Sequence, residues 1–140
     1  MLVRDIMTDQ FETVSRDRTL AAAVEAMLRE EVAHVFVVED GTPAALITRR
    51  KALTACYQTD DPLSGIPLSG FSRGLETQAG PGETVLLCVG RLRAASLDCL
   101  PVVDGLSVEG ILTKDDVIDN LSNITDETLE QEQRRRDWTQ

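Results

Sequence analysis

A group of polar residues near the C-terminus has the types and spacing to bind a ligand. The apolar-leaning run Gly110–Leu112 leads directly into Thr113, Lys114, Asp115 and Asp116. A carboxylate can accept hydrogen bonds from two neighbouring hydroxyls, and a threonine hydroxyl beside the free amides of a helix N-terminus suits a phosphate oxygen. The run therefore offers the chemistry of a site for a polar, hydroxyl-rich or phosphorylated ligand.

The same residues also have a purely structural interpretation. A threonine at a helix N-cap with an acid three residues later is typical of a capping box, in which side chains and backbone amides bond reciprocally. Asp115 and Asp116 also suit the positive end of a helix dipole. Capping alone contributes about 1 kcal/mol and needs no ligand. The local sequence leaves both interpretations open.

The corresponding place in the first half of the chain differs in charge. Thr48 is followed by three cations, Arg49, Arg50 and Lys51, and no aspartate. A lysine cannot accept hydrogen bonds from ligand hydroxyls, so the two places differ in the chemistry that they offer. The cations either meet ligand phosphates or occupy an exposed helix start, where positive charge is mildly unfavourable.

The two halves are copies of one unit. A shift of 65 residues aligns Thr19 with Thr84, Val37-Val38-Glu39 with Val102-Val103-Asp104, and Leu46-Ile47-Thr48 with Ile111-Leu112-Thr113. We therefore expect one repeat at residues 1–60, a second at 61–124, and a charged tail at 125–140. One unit of this size would bury little apolar surface alone, which is a physical reason for two units to share a core.

Apolar spacing and turn residues predict the order β-α-β-β-α in each unit. Thr19 and Thr84 are expected to cap the first helix of each unit with their hydroxyls. In the first repeat the other expected elements are strands at Phe11–Val14, Val35–Val38 and Ala45–Ile47 and a helix at Arg50–Tyr57. In the second they are strands at Leu75–Gln78, Leu100–Val103 and Gly110–Leu112 and a helix at Lys114–Leu121.

The tail at 125–140 is rich in charge and has almost no apolar stripe. Glu130 and Arg134 have the i,i+4 order that supports an exposed helix. Trp138 is the apolar exception. The tail is either a charged helix that frays at its end or a segment that contacts a partner through Trp138.

Composition limits the classes of function. The net charge of −10 disfavours direct binding to nucleic acid. Three scattered cysteines and one histidine make no zinc set, and no catalytic constellation or P-loop is recognisable. No apolar run is long enough for a membrane span, and no secretion signal is evident. We therefore expect a cytoplasmic protein that is not an enzyme and needs no metal.

Four pieces of the sequence together resemble a tandem pair of cystathionine-β-synthase (CBS) domains, also called a Bateman module. They are the Val3–Thr8 segment, the helix Ala21–Met27, the strand Pro101–Asp104 and the Gly110–Asp116 block. The resemblance covers residues 1–123. It implies an α/β (α+β) fold in which two β-α-β-β-α repeats pack with pseudo-two-fold symmetry.

The resemblance also implies a ligand. Such pairs commonly bind AMP, ADP, ATP or S-adenosylmethionine in clefts between the repeats, as regulatory ligands. By the family's pattern, Thr113 and Asp116 contact the ribose or first phosphate. Thr77 and Gln78 match the segment that often lines the base pocket. The apolar residues Leu100, Pro101 and Val102 are expected to wall the adenine.

The candidate phosphate contacts, suggested by their positive charge, are Arg49, Arg50, Lys51 and Lys114. Because Thr48 and Lys51 form the degenerate first site, we expect at most one full adenosine site per chain. Two functions remain open. One is a regulatory homodimer that binds a small adenosine ligand and signals to a separate, unknown effector protein. The other is a structural dimerisation or interaction module without a ligand.

Overall fold

The computed structural model describes the backbone of residues 1–71 and 77–139, and their side chains except at 127, 128, 131 and 137–139. The expected strand start at Leu75 and the side chain of Trp138 lie outside the described residues. The helices are α1 (Val3–Ile6), α2 (Leu20–Glu30), α3 (Arg49–Gln58), α4 (Val85–Ala95), α5 (Lys114–Asp119) and α6 (Leu121–Thr139). The strands are β1 (Thr13–Ser15), β2 (His34–Glu39), β3 (Thr42–Thr48), β4 (Cys99–Asp104) and β5 (Ser107–Thr113).

The element order confirms a mixed α/β fold. All three strands and both helices expected of the first repeat are present, displaced by no more than a few residues. In the second repeat the helix α4, the strands β4 and β5 and the helix α5 are present. Of the expected first strand, the described residues Thr77 and Gln78 are not in a strand, and the next residue, Ala79, forms an isolated parallel bridge with Val102. Helix α6 follows α5 and covers most of the tail.

Contacts divide the chain into two compact units. The N-terminal unit is Gln10–Glu76 with Gly105–Val108, and the C-terminal unit is Met1–Asp9, Thr77–Asp104 and Glu109–Gln140. The first nine residues therefore pack with the second half of the chain. This arrangement brings a segment from one end of the sequence to residues more than a hundred positions away.

The N-terminal unit contains a sheet in the order β1-β2-β3. Strand β1 runs parallel to β2 and β3 runs antiparallel to it, with Val35 opposite Ile47. Helix α2 covers this sheet with an apolar face. The core includes Leu20, Val35, Ile47 and Leu68, all of which are almost completely buried.

The C-terminal unit pairs β4 with β5 and adds the N-terminal segment to them. Leu2 forms an antiparallel bridge with Thr84, and Thr8 forms another with Ile111. The core of this unit contains Val3, Ile6, Val85, Cys88, Leu92, Leu100, Val102, Leu112 and Ile124. Cys88 and Cys99 are both buried.

The two expected threonine caps have different outcomes. The Thr84 hydroxyl accepts a hydrogen bond from the Leu87 amide at 3.4 Å, as predicted. The prediction for Thr19 is wrong, because its side chain makes no capping bond. The first amide of α2, that of Leu20, instead donates to the Ile66 carbonyl at 2.8 Å, so this end of the helix is partnered by backbone.

Candidate functional site

The polar group at the end of β5 forms the capping box expected from its spacing. The Thr113 hydroxyl accepts from the Asp116 amide at 3.0 Å, and Asp116 Oδ2 accepts from the Thr113 amide at 3.0 Å. Both side chains are half-buried. The structural interpretation of the motif is thus confirmed, and the carboxylate is held in one orientation at the surface of the C-terminal unit.

A residue from the other end of the chain completes this group. The Thr8 hydroxyl donates to Asp116 Oδ1 at 3.1 Å and to Oδ2 at 3.2 Å. Thr8 is not among the site residues predicted from the sequence. The two residues are 108 positions apart, and no local spacing links them. The only sequence signal is that Thr8 ends the Val3–Thr8 segment, one of the four pieces that carry the resemblance.

Two further bonds fix the surroundings of Asp116. The Asn120 side-chain amide donates to the Asp116 carbonyl at 2.8 Å. The Lys114 amide donates to the Asp98 carbonyl at 2.9 Å, which places the start of β4 beside the start of α5. The Lys114 ammonium lies 3.1 Å from Asp98 Oδ1 in an exposed ion pair. Such pairs are weak, so the ammonium can exchange Asp98 for a ligand phosphate at little cost.

The segment expected to line a base pocket lies against β4. The Ala79 amide donates to the Pro101 carbonyl at 2.9 Å, and the Val103 amide donates to the Ala79 carbonyl at 2.8 Å. Thr77 is half-buried and Gln78 is exposed. The structure thus brings Thr77 and Gln78 next to the strand that holds the expected adenine wall.

The wall residues themselves are in the core. Leu100 and Val102 have no exposed surface, and Pro101 is also buried. In this conformation Leu100 and Val102 pack inside the C-terminal unit. Their contact with adenine stays a prediction, as does that of Thr77 and Gln78.

An ion pair fixes the turn that follows this segment. Arg91 Nη2 lies 2.6 Å from Glu83 Oε2, and Arg91 Nη1 donates to Glu83 Oε1 at 2.7 Å and to the Gln78 carbonyl at 2.9 Å. Glu83 Oε1 also accepts from the Gly80 amide at 2.7 Å. The hydrogen bonds from Arg91 and Gly80 lower the pKa of Glu83, and the bond to Glu83 raises the pKa of Arg91. Burial raises the pKa of the nearby Cys88, so its thiol stays neutral.

The equivalent junction in the N-terminal unit repeats the backbone geometry. The Arg49 amide donates to the Ala33 carbonyl at 3.0 Å, 65 positions before the corresponding Lys114–Asp98 bond. The Thr48 hydroxyl accepts from the Lys51 amide at 3.2 Å. The two junctions therefore differ in their side chains and not in their fold.

The lysine at the degenerate position binds its own unit. The Lys51 ammonium donates to the Leu46 carbonyl at 2.8 Å. Arg50 and Lys51 also line an open cleft of about 570 Å³ together with Ile66, Pro67 and Phe71. The phosphate contacts of Arg49, Arg50 and Lys51 stay predictions. One of the three N–H donors of Lys51 is already bonded to the backbone.

Within residues 1–71 and 77–139, no three His, Cys, Asp or Glu side chains are grouped to hold a metal ion. In the same ranges, no helix combines the length and the apolar character that a membrane span requires.

The family-model comparison identifies both halves of the chain. The model described as "CBS domain" matches residues 3–57 and 79–123. These matches cover most of the sequence, and the chain belongs to the CBS domain family as a tandem pair. The comparison with curated proteins finds no significant match.

Solved structures share the fold. A conserved CBS domain protein of unknown function from Thermoplasma acidophilum, TA0289, is 25% identical, with a TM-score of 0.79 over 94% of this chain and 76% of that one. The CBS domain pair of protein MJ0100, solved with 5′-methylthioadenosine and S-adenosyl-L-methionine, is 22% identical, with a TM-score of 0.75 over 88% and 97%. A hexameric CBS-CP12 protein from bloom-forming cyanobacteria is 17% identical, with a TM-score of 0.76 over 84% and 66%.

Proposed function

We propose that this CBS pair is a regulatory protein that binds an adenosine-containing ligand through Asp116 and Thr113. The observation that carries the proposal is the Asp116 carboxylate. Its orientation is fixed from the backbone of Thr113, and it stands half-buried at the end of a strand. A carboxylate held in this way can accept one hydrogen bond from each of two ribose hydroxyls. Because its side chain is already ordered, binding costs little further side-chain entropy.

The surroundings supply the remaining parts of such a site. Gln78 follows Thr77 on the segment paired with β4, and its backbone carbonyl is held by Arg91. Fixed backbone groups can read the edge of an adenine ring. The Lys114 ammonium, in a weak ion pair, is available to a phosphate. The structure of the MJ0100 CBS pair with 5′-methylthioadenosine and S-adenosyl-L-methionine supports an adenosine ligand for this fold. The candidates are AMP, ADP, ATP and S-adenosylmethionine.

Regulation requires that the ligand prefer one state of the protein over another. We infer that this state is read by a separate effector protein and that the chain acts as a homodimer. The exposed apolar pair Leu53 and Tyr57, one turn apart on α3, offers a surface for self-association. Relatives with this fold assemble, as the hexameric CBS-CP12 protein shows.

A ligand-free structural module is the competing function. The capping box at Thr113 and the bond between Lys51 and the Leu46 carbonyl account for both polar junctions without a ligand. Under this alternative the CBS pair serves only to hold two copies of the chain together.

Calorimetry with AMP, ADP, ATP and S-adenosylmethionine separates the two functions. The regulatory function predicts binding to the wild type that Asp116→Ala weakens at least tenfold, equivalent to ~1.4 kcal/mol. Asp115→Ala is the matched control, because it removes the same charge from the neighbouring, exposed position and leaves affinity within about twofold. Failure of the wild type to bind any of the four compounds would favour the structural module.

The phosphate contacts are tested in the same assay. If Arg50 or Lys51 contacts the ligand phosphates, its replacement by alanine lowers the affinity for ATP more than the affinity for adenosine. Equal losses for the two compounds would exclude these residues as phosphate contacts.

A further inference from the structure

The Thr8 hydroxyl occupies the part of Asp116 that a ribose would need. Its distances to the two carboxylate oxygens are nearly equal, 3.1 and 3.2 Å. A donor that reaches both oxygens lies along the open edge between them. A pair of neighbouring ribose hydroxyls must use the same edge to donate one hydrogen bond to each oxygen.

The position of Thr8 does not depend on this bond. Its amide donates to the Ile111 carbonyl at 2.8 Å, and the Ile111 amide donates to the Thr8 carbonyl at 2.9 Å. The threonine is therefore held beside β5 by its backbone, whatever its side chain does. The hydroxyl can rotate away from Asp116 without moving the chain.

The bond itself is easily exchanged. Hydrogen bonds from a hydroxyl to a carboxylate are typically about 2.5–2.7 Å long when they are strong. Both bonds from Thr8 are longer, because one proton is shared between two acceptors. The second donor to this carboxylate, the Thr113 amide, bonds to Oδ2 within the capping box, whereas Oδ1 accepts from Thr8.

We propose that the Thr8 hydroxyl stands in for the ribose in the free protein and is displaced from Asp116 when the ligand binds. This inference rests on the proposed function and adds a regulatory contact to it. Thr8 lies two residues before Gln10, where the chain passes from the C-terminal unit to the N-terminal unit. Occupancy of the site is thus reported at the N-terminal segment, at a residue that is not part of the Gly110–Asp116 motif.

The test compares Thr8→Val with the wild type by calorimetry. Valine has nearly the shape of threonine but cannot donate, so the ligand no longer competes for Asp116. We expect the best-binding adenosine ligand to bind about threefold to tenfold more tightly to Thr8→Val, the range of one exchanged hydrogen bond. Thr8→Ser keeps the hydroxyl and should bind like the wild type. Thr42→Val, at an exposed position of β3, controls for the change of residue type.

The sugar of the ligand provides a second arm. A 2′,3′-dideoxy analogue of the same ligand has no ribose hydroxyls to donate to Asp116. The wild type and Thr8→Val should therefore bind this analogue with the same affinity. In the wild type, the methyl resonance of Thr8 should shift when the ribose ligand binds and stay in place with the dideoxy analogue.

The outcomes separate this proposal from the proposed function. In one outcome, Asp116→Ala abolishes binding, but Thr8→Val binds the ligand with the same affinity as the wild type or more weakly. This result would overturn the exchange and keep the adenosine site. Binding seen only with Thr8→Val would overturn the exchange, because the ligand would then be unable to displace Thr8 from Asp116 in the wild type. Binding by neither protein would overturn both.

Discussion

Gly110 lies so close to Thr8 that a β-carbon at position 110 would collide with the Thr8 backbone carbonyl oxygen. The glycine that opens the Gly110–Asp116 motif therefore has a physical role. It lets the N-terminal segment pair with β5 through Ile111, and this pairing is what brings the Thr8 hydroxyl to Asp116. The motif glycine and the threonine of the N-terminal segment belong to one contact.

Gly110→Ala should destabilise the protein. The atom that the new methyl group meets is backbone, which cannot rotate away, so the Thr8–Ile111 pairing must shift. We expect a loss of about 2–4 kcal/mol in the free energy of unfolding, measured by urea denaturation.

Gly90→Ala is the matched control for this substitution. Gly90 lies in α4, and a β-carbon there meets no atom within 4 Å. Alanine in a helix is favoured over glycine, so this variant should be more stable than the wild type by about 0.5–1 kcal/mol. A Gly110→Ala protein as stable as the wild type would contradict the close approach of the two segments.

Thr113→Val and Thr48→Val should separate capping from ligand binding. Each removes a hydroxyl that accepts from the third amide of the following helix, Asp116 in one case and Lys51 in the other. Both variants should lose about 1 kcal/mol of stability. Only Thr113→Val should also lower the affinity for the adenosine ligand, by about tenfold, because Thr48 belongs to the degenerate junction. Equal affinities of the two variants in calorimetry would remove Thr113 from the site.

The capping box at Thr113 could be predicted because every partner lies within four residues. The strand order could also be predicted from local signals, namely apolar period and turn residues, and the repeat could be predicted because matching blocks recur at a shift of 65 residues. The role of Thr8 could not, because its bond to Asp116 depends on the packing of residues 1–9 with the second half of the chain. The error at Thr19 has the same cause. A carbonyl 46 positions away, on Ile66, partners the Leu20 amide, and sequence spacing does not reveal such a backbone partner.

The homodimer is tested at α3. Leu53 and Tyr57 are 70% and 91% exposed, which makes them costly to leave in water. Leu53→Glu combined with Tyr57→Ser should shift the sedimentation coefficient to that of a monomer, while the far-UV circular dichroism spectrum stays that of the folded protein. Leu106→Glu, at a position that is 80% exposed in the turn before β5, should leave the assembly intact. A monomeric wild type, or a double variant that still dimerises, would exclude α3 as the interface.

The ion pair between Glu83 and Arg91 should give the stability a distinct dependence on pH. Hydrogen bonds from Arg91 and Gly80 hold the pKa of Glu83 below its ordinary value of 4.5. A lowered pKa in the folded state means that the pair stabilises the protein above pH 4.5. This contribution is lost as the pH falls through the lowered pKa, because the carboxyl then takes up a proton in both states.

Glu83→Gln should therefore be less stable than the wild type at pH 7, and the difference should shrink below about pH 4.5. The side chains of Arg91 and Glu83 are 33% and 32% exposed, so solvent screens the pair and the loss at pH 7 should be only about 0.5–1 kcal/mol. Urea denaturation of both proteins between pH 3 and pH 7 measures the difference. Glu109→Gln, at an exposed position of β5, should differ from the wild type by a small and nearly constant amount. A Glu83→Gln deficit that stays the same at pH 3 would show that the packing of residue 83, and not its charge, holds the turn beside Gln78.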